Sequence, residues 1–321
     1  MFHLVYADKQ GRLYQDPELA ALGRSGEEYW PLGAADLIPL PPGAEVAVLP
    51  GRSPLGVDRR GRAAVVSSEG RQPLWAVGAL LPPGYLRLAL PAWEKEEGAP
   101  PLGLFGYTAL AGRKNRLYVA ALPLDPDPRW DPRHYNLPGL AELVAQRRRA
   151  SPSNRLLAHL AHCAEVYHCY TAQNLFYRRW EAGIPVSPAC NAGCLACISF
   201  QEAECCPAPQ KRLEFVPTPE EVEELMEPHL AGAPEAIVSF GQGCEGEPLL
   251  QAELLEEVIG RVRRRTARGS INLNSNGGDP QVVERLCRAG LNCLRVSLFS
   301  ARPALYDLYH RPRGYGVPEV R

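Results

Sequence analysis

The sequence has no apolar run of about 18 residues, so no segment reads as a membrane-spanning helix. Its first residues, MFHLVYADKQ, lack the basic-then-apolar order of a secretion signal. Net charge is nearly absent, at −1 over 321 residues, which argues against a basic nucleic-acid surface. Without an export signal, ten cysteines do not read as a disulfide framework. In a reducing compartment they read as metal ligands, reactive thiols or small core residues, and the expected location is cytoplasmic. What the chain does have is length for two domains and a 45% hydrophobic content that can fill their cores.

Residues 1–125 read as a β-rich accessory domain of short strands joined by hairpins. Turn signals fall at Asp8 to Gly11, Asp58 to Gly61 and Gly112 to Asn115. Residues 126–183 read as a linker followed by helices. The first helix covers about Gly139 to Arg149. The second is expected to start at Ser151-Pro152 and to run through an apolar face of Leu156, Leu160, Cys163, Tyr167 and Tyr170.

From Ile184 to Arg321 strands alternate with helices. The expected strands are IPVSPAC, ending at Cys190, then EAIVSFG, SINLNSN and NCLRVSLFS. The expected helices open at Thr218-Pro219, after Glu245–Pro248, at Asp279-Pro280 and at Pro303. That alternation predicts an α/β fold with parallel βα units, about four of them. Such a set corresponds to a partial TIM-like barrel, and the sequence stops as though more units should follow.

Three cysteines fall within eight residues of CNAGCLAC, at Cys190, Cys194 and Cys197. Structural zinc calls for four ligands, commonly as two separated pairs, and no second pair is evident downstream. Three thiolates can instead hold an iron–sulfur cluster and leave one iron open. A non-catalytic zinc or iron–sulfur protein, or a regulatory scaffold with a degenerate barrel, stays open as an alternative.

The CxxxCxxC spacing after the first strand resembles that of the radical S-adenosylmethionine (radical SAM) superfamily. The resemblance extends to Glu245-Gly246-Glu247-Pro248, which is similar to the family's glycine-rich GGEP segment, although Glu245 replaces its first glycine. It extends also to the strand ends NLNSNGG and LRVSLFS. What it implies is a [4Fe–4S] cluster on Cys190, Cys194 and Cys197, with S-adenosylmethionine (SAM) on the fourth iron. An electron donor such as flavodoxin or ferredoxin would drive cleavage of SAM to a 5′-deoxyadenosyl radical, which takes hydrogen from a peptide, protein or small-molecule substrate. The SAM contacts implied are Gly246, Glu247, Asn274, Ser275, Asn276 and Ser297, with Arg295, Arg311 or Arg313 as carboxylate partners. The resemblance departs at Ala196, where an aromatic residue is usual.

The remaining cysteines admit plainer readings. Cys244 lies in the loop expected at the SAM pocket and is the candidate catalytic thiol, with packing as its alternative. Cys205 and Cys206 read as incidental loop thiols or a second metal pair. Cys287 and Cys293 read as core residues. His159 and Cys163, one helical turn apart, could share a zinc ion, but packing and exposure account for them as well. Arg261, Arg263, Arg264 and Arg265 read as a helix C-terminus rather than a nucleic-acid stripe.

Overall fold

A computed structural model describes residues 1–66, 73–103, 105–201 and 208–320. The chain divides into two compact units, Met1–His134 and Tyr135–Arg321. The helices after residue 139 therefore belong with the carboxy-terminal unit.

The amino-terminal unit is built of antiparallel strands. Two of its hairpins use the same local device. In DKQGR and DRRGR the aspartate Oδ1 accepts from two amides further on, Gln10 and Arg12 in the first, Arg60 and Arg62 in the second. Gly11 and Gly61 then adopt φ of 78° and 79°, a left-handed backbone that glycine reaches without steric cost. The third hairpin turns through Lys114 and Asn115, both at positive φ. One apolar core of this unit gathers Val5, Ala7, Val77, Ala79, Leu110 and Val119.

The carboxy-terminal unit begins with three helices, α1 (Leu140–Ala150), α2 (Arg155–Glu165) and α3 (Tyr170–Tyr177). Helix α2 starts later than the Ser151-Pro152 signal suggests. Ser151 instead ends α1, its amide donating to the Arg147 carbonyl, and Asn154 caps α2 by accepting from the Leu157 amide at 2.8 Å. The expected single apolar face breaks at His168, whose φ is 52°, so Tyr170 opens α3 while Leu156, Leu160 and Cys163 stay on α2.

Four parallel strands follow in sequence order: Glu181–Gly183, Ile237–Phe240, Ser270–Ser275 and Cys293–Val296. Between and after them lie α4 (Pro219–Gly232), α5 (Ala252–Arg265), α6 (Pro280–Ala289) and α7 (Pro303–His310). This is an α/β unit, and among the described residues its sheet does not close on itself. Helix α4 opens on a capping box: Thr218 Oγ1 accepts from the Glu221 amide, and Glu221 accepts from the Thr218 amide. Two of the arginines late in α5 bond to α4, Arg261 to Glu220 at 2.9 Å and Arg265 to Glu227 at 2.6 Å. They form helix-to-helix ion pairs.

Two expectations are corrected here. The first parallel strand is Glu181–Gly183, not the stretch ending at Cys190. Beyond Ile184 the extended backbone leaves the ladder, because the amides of Val186 and Ser187 donate to the Glu245 carboxylate instead. Cys287 and Cys293 are exposed, not core. Val282 and Leu286 are the buried residues of α6, and Cys293 lies on the edge strand.

Candidate iron–sulfur and SAM site

Cys190, Cys194 and Cys197 lie on a half-buried loop that follows the first strand. The loop is held from two sides. On one side it rests on the end of α7: the Gly193 amide donates to the His310 carbonyl, Leu195 to Tyr309, and Arg313 to Asn191, at 2.8–3.0 Å. On the other it meets the loop after the second strand. There the Gly246 amide donates to the Ser187 carbonyl at 2.7 Å, and the Glu247 amide to the Ala189 carbonyl at 2.8 Å. A Cβ on Gly246 would stand 1.9 Å from the Ala189 oxygen, so only glycine allows this approach.

Two buried glutamates brace the loop after the second strand. Glu245, 2% exposed, takes four backbone donors: Val186 and Ser187 on Oε2, Gly241 and Gln242 on Oε1, at 2.6–3.1 Å. Burial pushes its carboxyl up to about 7 against the pull of those amides. Glu247 accepts from Ser275 Oγ (2.6 Å) and the amides of Asn276 (2.8 Å) and Leu249 (3.1 Å). Burial raises its carboxyl as well.

The other expected ligand contacts take up places around this frame. Asn276 donates through Nδ2 to Asn191 Oδ1 at 2.7 Å, tying the third strand's end to the cysteine loop. Asn274 donates to the Phe240 and Gly241 carbonyls and accepts from Arg295 Nε at 2.8 Å. Ser297 is exposed and its amide donates to the Ser275 carbonyl. Arg311 and Arg313 both approach Gly193 within the cysteine loop.

Burial raises the Cys190 and Cys194 thiols, Cys194 to about 11, and the charges of the neighbouring cysteines add to the Cys194 shift. The three sulfurs thus sit within electrostatic reach of one another. That donor set suits iron, whose positive charge would favour the thiolates. Polar hydrogens already point at two of the sulfurs. Arg212 Nη2 lies 4.0 Å from Cys197 Sγ, and its Nε donates to Ser199 Oγ, which donates to the Glu245 carbonyl. His310 Nδ1 lies 3.3 Å from Cys194 Sγ. The Phe299 amide donates to the other ring nitrogen, so Nδ1 carries the proton and donates to sulfur.

Sequence reasoning missed His310, Arg212 and the bracing role of Glu245. His310 ends an apolar helix, which was the one available signal, while Arg212 had none. The stacked pair Phe299–Tyr309, with ring centroids 4.2 Å apart, lies beside the loop, where Tyr309 meets the Leu195 amide. Cys205 and Cys206 lie outside the described residues. Cys244 is 8% exposed, and its sulfur lies with the ligand atoms of His159 and Cys163 on α2.

Fold and site together define a parallel α/β unit that gathers three cysteines beside its strand ends. Residues 184–320 match the family model described as the radical SAM superfamily. No curated protein matches the chain. Among the described residues no helix is long and apolar enough to cross a membrane.

Proposed function

We propose that the chain is a radical SAM enzyme whose carboxy-terminal unit is part of a TIM-like barrel. Cys190, Cys194 and Cys197 would hold a [4Fe–4S] cluster by three irons. With SAM on the remaining iron, the cluster would supply reductive cleavage to a 5′-deoxyadenosyl radical for hydrogen abstraction. The observation that carries this reading is the convergence of three segments at the cysteine loop: the loop itself, the backbone of Gly246–Glu247 and the Asn276 side chain.

The chain's own residues have separable tasks in this reading. Gly246 lets the second loop lie against Ala189 and Cys190. Glu247 uses about three of its four acceptor positions on Ser275, Asn276 and Leu249, which leaves one on Oε2 for an ammonium group. Asn274, Ser275 and Asn276 would supply further ligand contacts at the end of the third strand, with Ser297 exposed just after the fourth. Arg311 and Arg313 bring positive charge to the cysteine loop for a carboxylate. The electron would come from a low-potential carrier of the flavodoxin or ferredoxin class, in a reducing cytoplasm.

Anaerobic reconstitution with iron and sulfide tests the reading. The expected result is a [4Fe–4S] signal lost on replacing any of the three cysteines, a signal altered by SAM, and 5′-deoxyadenosine formed with dithionite. A chain that binds zinc but no iron, or a cluster indifferent to these cysteines, would overturn it.

A further inference from the structure

A second group of sulfur and nitrogen donors lies apart from the cysteine loop. His159 and Cys163 sit one turn apart on α2, with Nε2 3.6 Å from Sγ. Cys244, from the loop after the second strand, brings a third donor to the same point. The three ligand atoms lie within 4.8 Å of one another, and no other such group of His, Cys, Asp or Glu occurs among the described residues. The helix spacing already pairs His159 with Cys163. What the fold adds is Cys244.

We propose that His159, Cys163 and Cys244 hold a single divalent ion of the zinc class, with water in its fourth position, tying α2 to the loop that carries Glu245, Gly246 and Glu247. The proposal is independent of the cluster reading above.

Size favours one ion. Tetrahedral zinc bonds of about 2.0–2.3 Å put neighbouring ligand atoms about 3.3–3.8 Å apart. The observed 3.6 Å between Nε2 and Cys163 Sγ falls in that range, and the 4.8 Å limit on the set requires only small closure. Donor chemistry narrows the choice of metal. Two thiols with an imidazole select zinc over magnesium or calcium, which take oxygen ligands.

The surroundings fit a built site. Cys163 is 2% exposed and lies in the core between α2 and the sheet, while His159 is half-buried and gives the ion a route from solvent. The two thiols lie together, from α2 and from the loop after the second strand, within the 4.8 Å that encloses the set. Cys169, at the start of α3, stands within electrostatic reach of Cys244 and adds a further thiol beside the group.

An ion here would fix Cys244 two residues before Gly246, so it would set the position of the loop against which the cysteine loop rests. Its binding energy would add to the stability of the unit in proportion to metal occupancy.

The test is elemental analysis of the full chain purified anaerobically, beside a variant with Cys190, Cys194 and Cys197 all changed to Ala. Both should carry about one zinc per chain. Cobalt exchanged into the site should show thiolate charge-transfer absorption and tetrahedral d–d bands in both. His159→Ala and Cys163→Ala should each weaken zinc by roughly tenfold or more. His159 is half-buried on a helix surface, so its variant keeps the comparison meaningful even where Cys163→Ala fails to fold. Three results would each overturn the proposal: no zinc in the parent chain, zinc undiminished in His159→Ala, or zinc lost only with the cysteine-loop variant. Recovery of a Cys163–Cys244 disulfide in place of metal would do the same.

Discussion

Gly246→Ala should cost more than any change to the glycine inside the cysteine motif itself. The added Cβ would sit 1.9 Å from the Ala189 oxygen and 2.4 Å from its carbonyl carbon. Ordinary contact begins at 3.4 Å, so the two backbones must part by 3.4 − 1.9 = 1.5 Å. That separation would carry the bonds from Gly246 N to Ser187 O and from Glu247 N to Ala189 O, now 2.7 and 2.8 Å, past 4 Å and break both. Each amide donor left unpaired costs about 1–3 kcal/mol, so loss of the Gly246 and Glu247 donors alone sets the penalty at about 2–6 kcal/mol. Even the lower figure corresponds to roughly 4–8 °C in Tm for a unit of this size. The shift also falls on Cys190, whose amide is 3.1 Å from the same Cβ. Gly193 is the control. It lies between two cysteines of the motif, yet a Cβ there meets nothing nearer than 3.7 Å and its φ is not positive. Thermal unfolding and iron content after anaerobic reconstitution should therefore separate the variants, with Gly193→Ala close to the parent and Gly246→Ala losing both stability and iron. Equal behaviour of the two, or an intact Gly246→Ala, would refute the reasoning.

Three further outcomes follow from the same contacts. His310→Ala removes the N–H donor to Cys194 Sγ; since such bonds favour the reduced cluster, the midpoint potential of the reconstituted protein should fall in a redox titration, and an unchanged potential would remove His310 from the site. Ser275→Ala takes away the hydroxyl that donates to Glu247, which should lower unfolding free energy by about 1.5–3 kcal/mol in urea, with Ser275→Thr closer to the parent. Glu221 is held to about 2 by Arg155, against an ordinary value of 4.5, so its stabilising share is complete above pH 4.5 and disappears as pH falls toward 2. Because the arginine is half-exposed, that share should be only about 1–2 kcal/mol, and Glu221→Gln should flatten the acid limb of the stability curve.

Features written in short local codes were legible in the sequence. The Asp-x-x-Gly-Arg turns need only a carboxylate, two amides and a glycine at fixed offsets, and both hairpins form where those residues stand. Thr218 with Glu221, and Asp279 with Gly290, bound their helices by the same kind of short-range chemistry. The CxxxCxxC spacing pointed likewise to the superfamily whose family model matches residues 184–320. Features that depend on distant side chains were not. The first strand ended early because Glu245, about 60 residues on, draws the Val186 and Ser187 amides away from the ladder. Cys194 and His310 are 116 positions apart, and nothing in either neighbourhood announces their contact. The same holds for Cys244, whose loop resembles a ligand pocket while its thiol faces α2.

The substitution of Glu245 for the first glycine of the family segment looks, in sequence, like damage to a ligand-binding loop. The contacts argue otherwise. The glycine whose missing side chain matters is Gly246, where the cysteine loop occupies the space of a Cβ. At position 245 the side chain points into the unit, and its two oxygens gather the amides of Gly241 and Gln242 from the loop's start and those of Val186 and Ser187 from the approach to the cysteines. One carboxylate thus joins the segment before Cys190 to the segment before Gly246. Without it, four buried amides in two separate loops would each need another acceptor. The charge carries a burial cost, visible in a carboxyl raised to about 7, and four convergent donors offset it. A glycine there would leave those loops to be positioned by backbone pairing alone. On this reading Glu245 is a brace that holds two loops in place of the flexibility a glycine would bring.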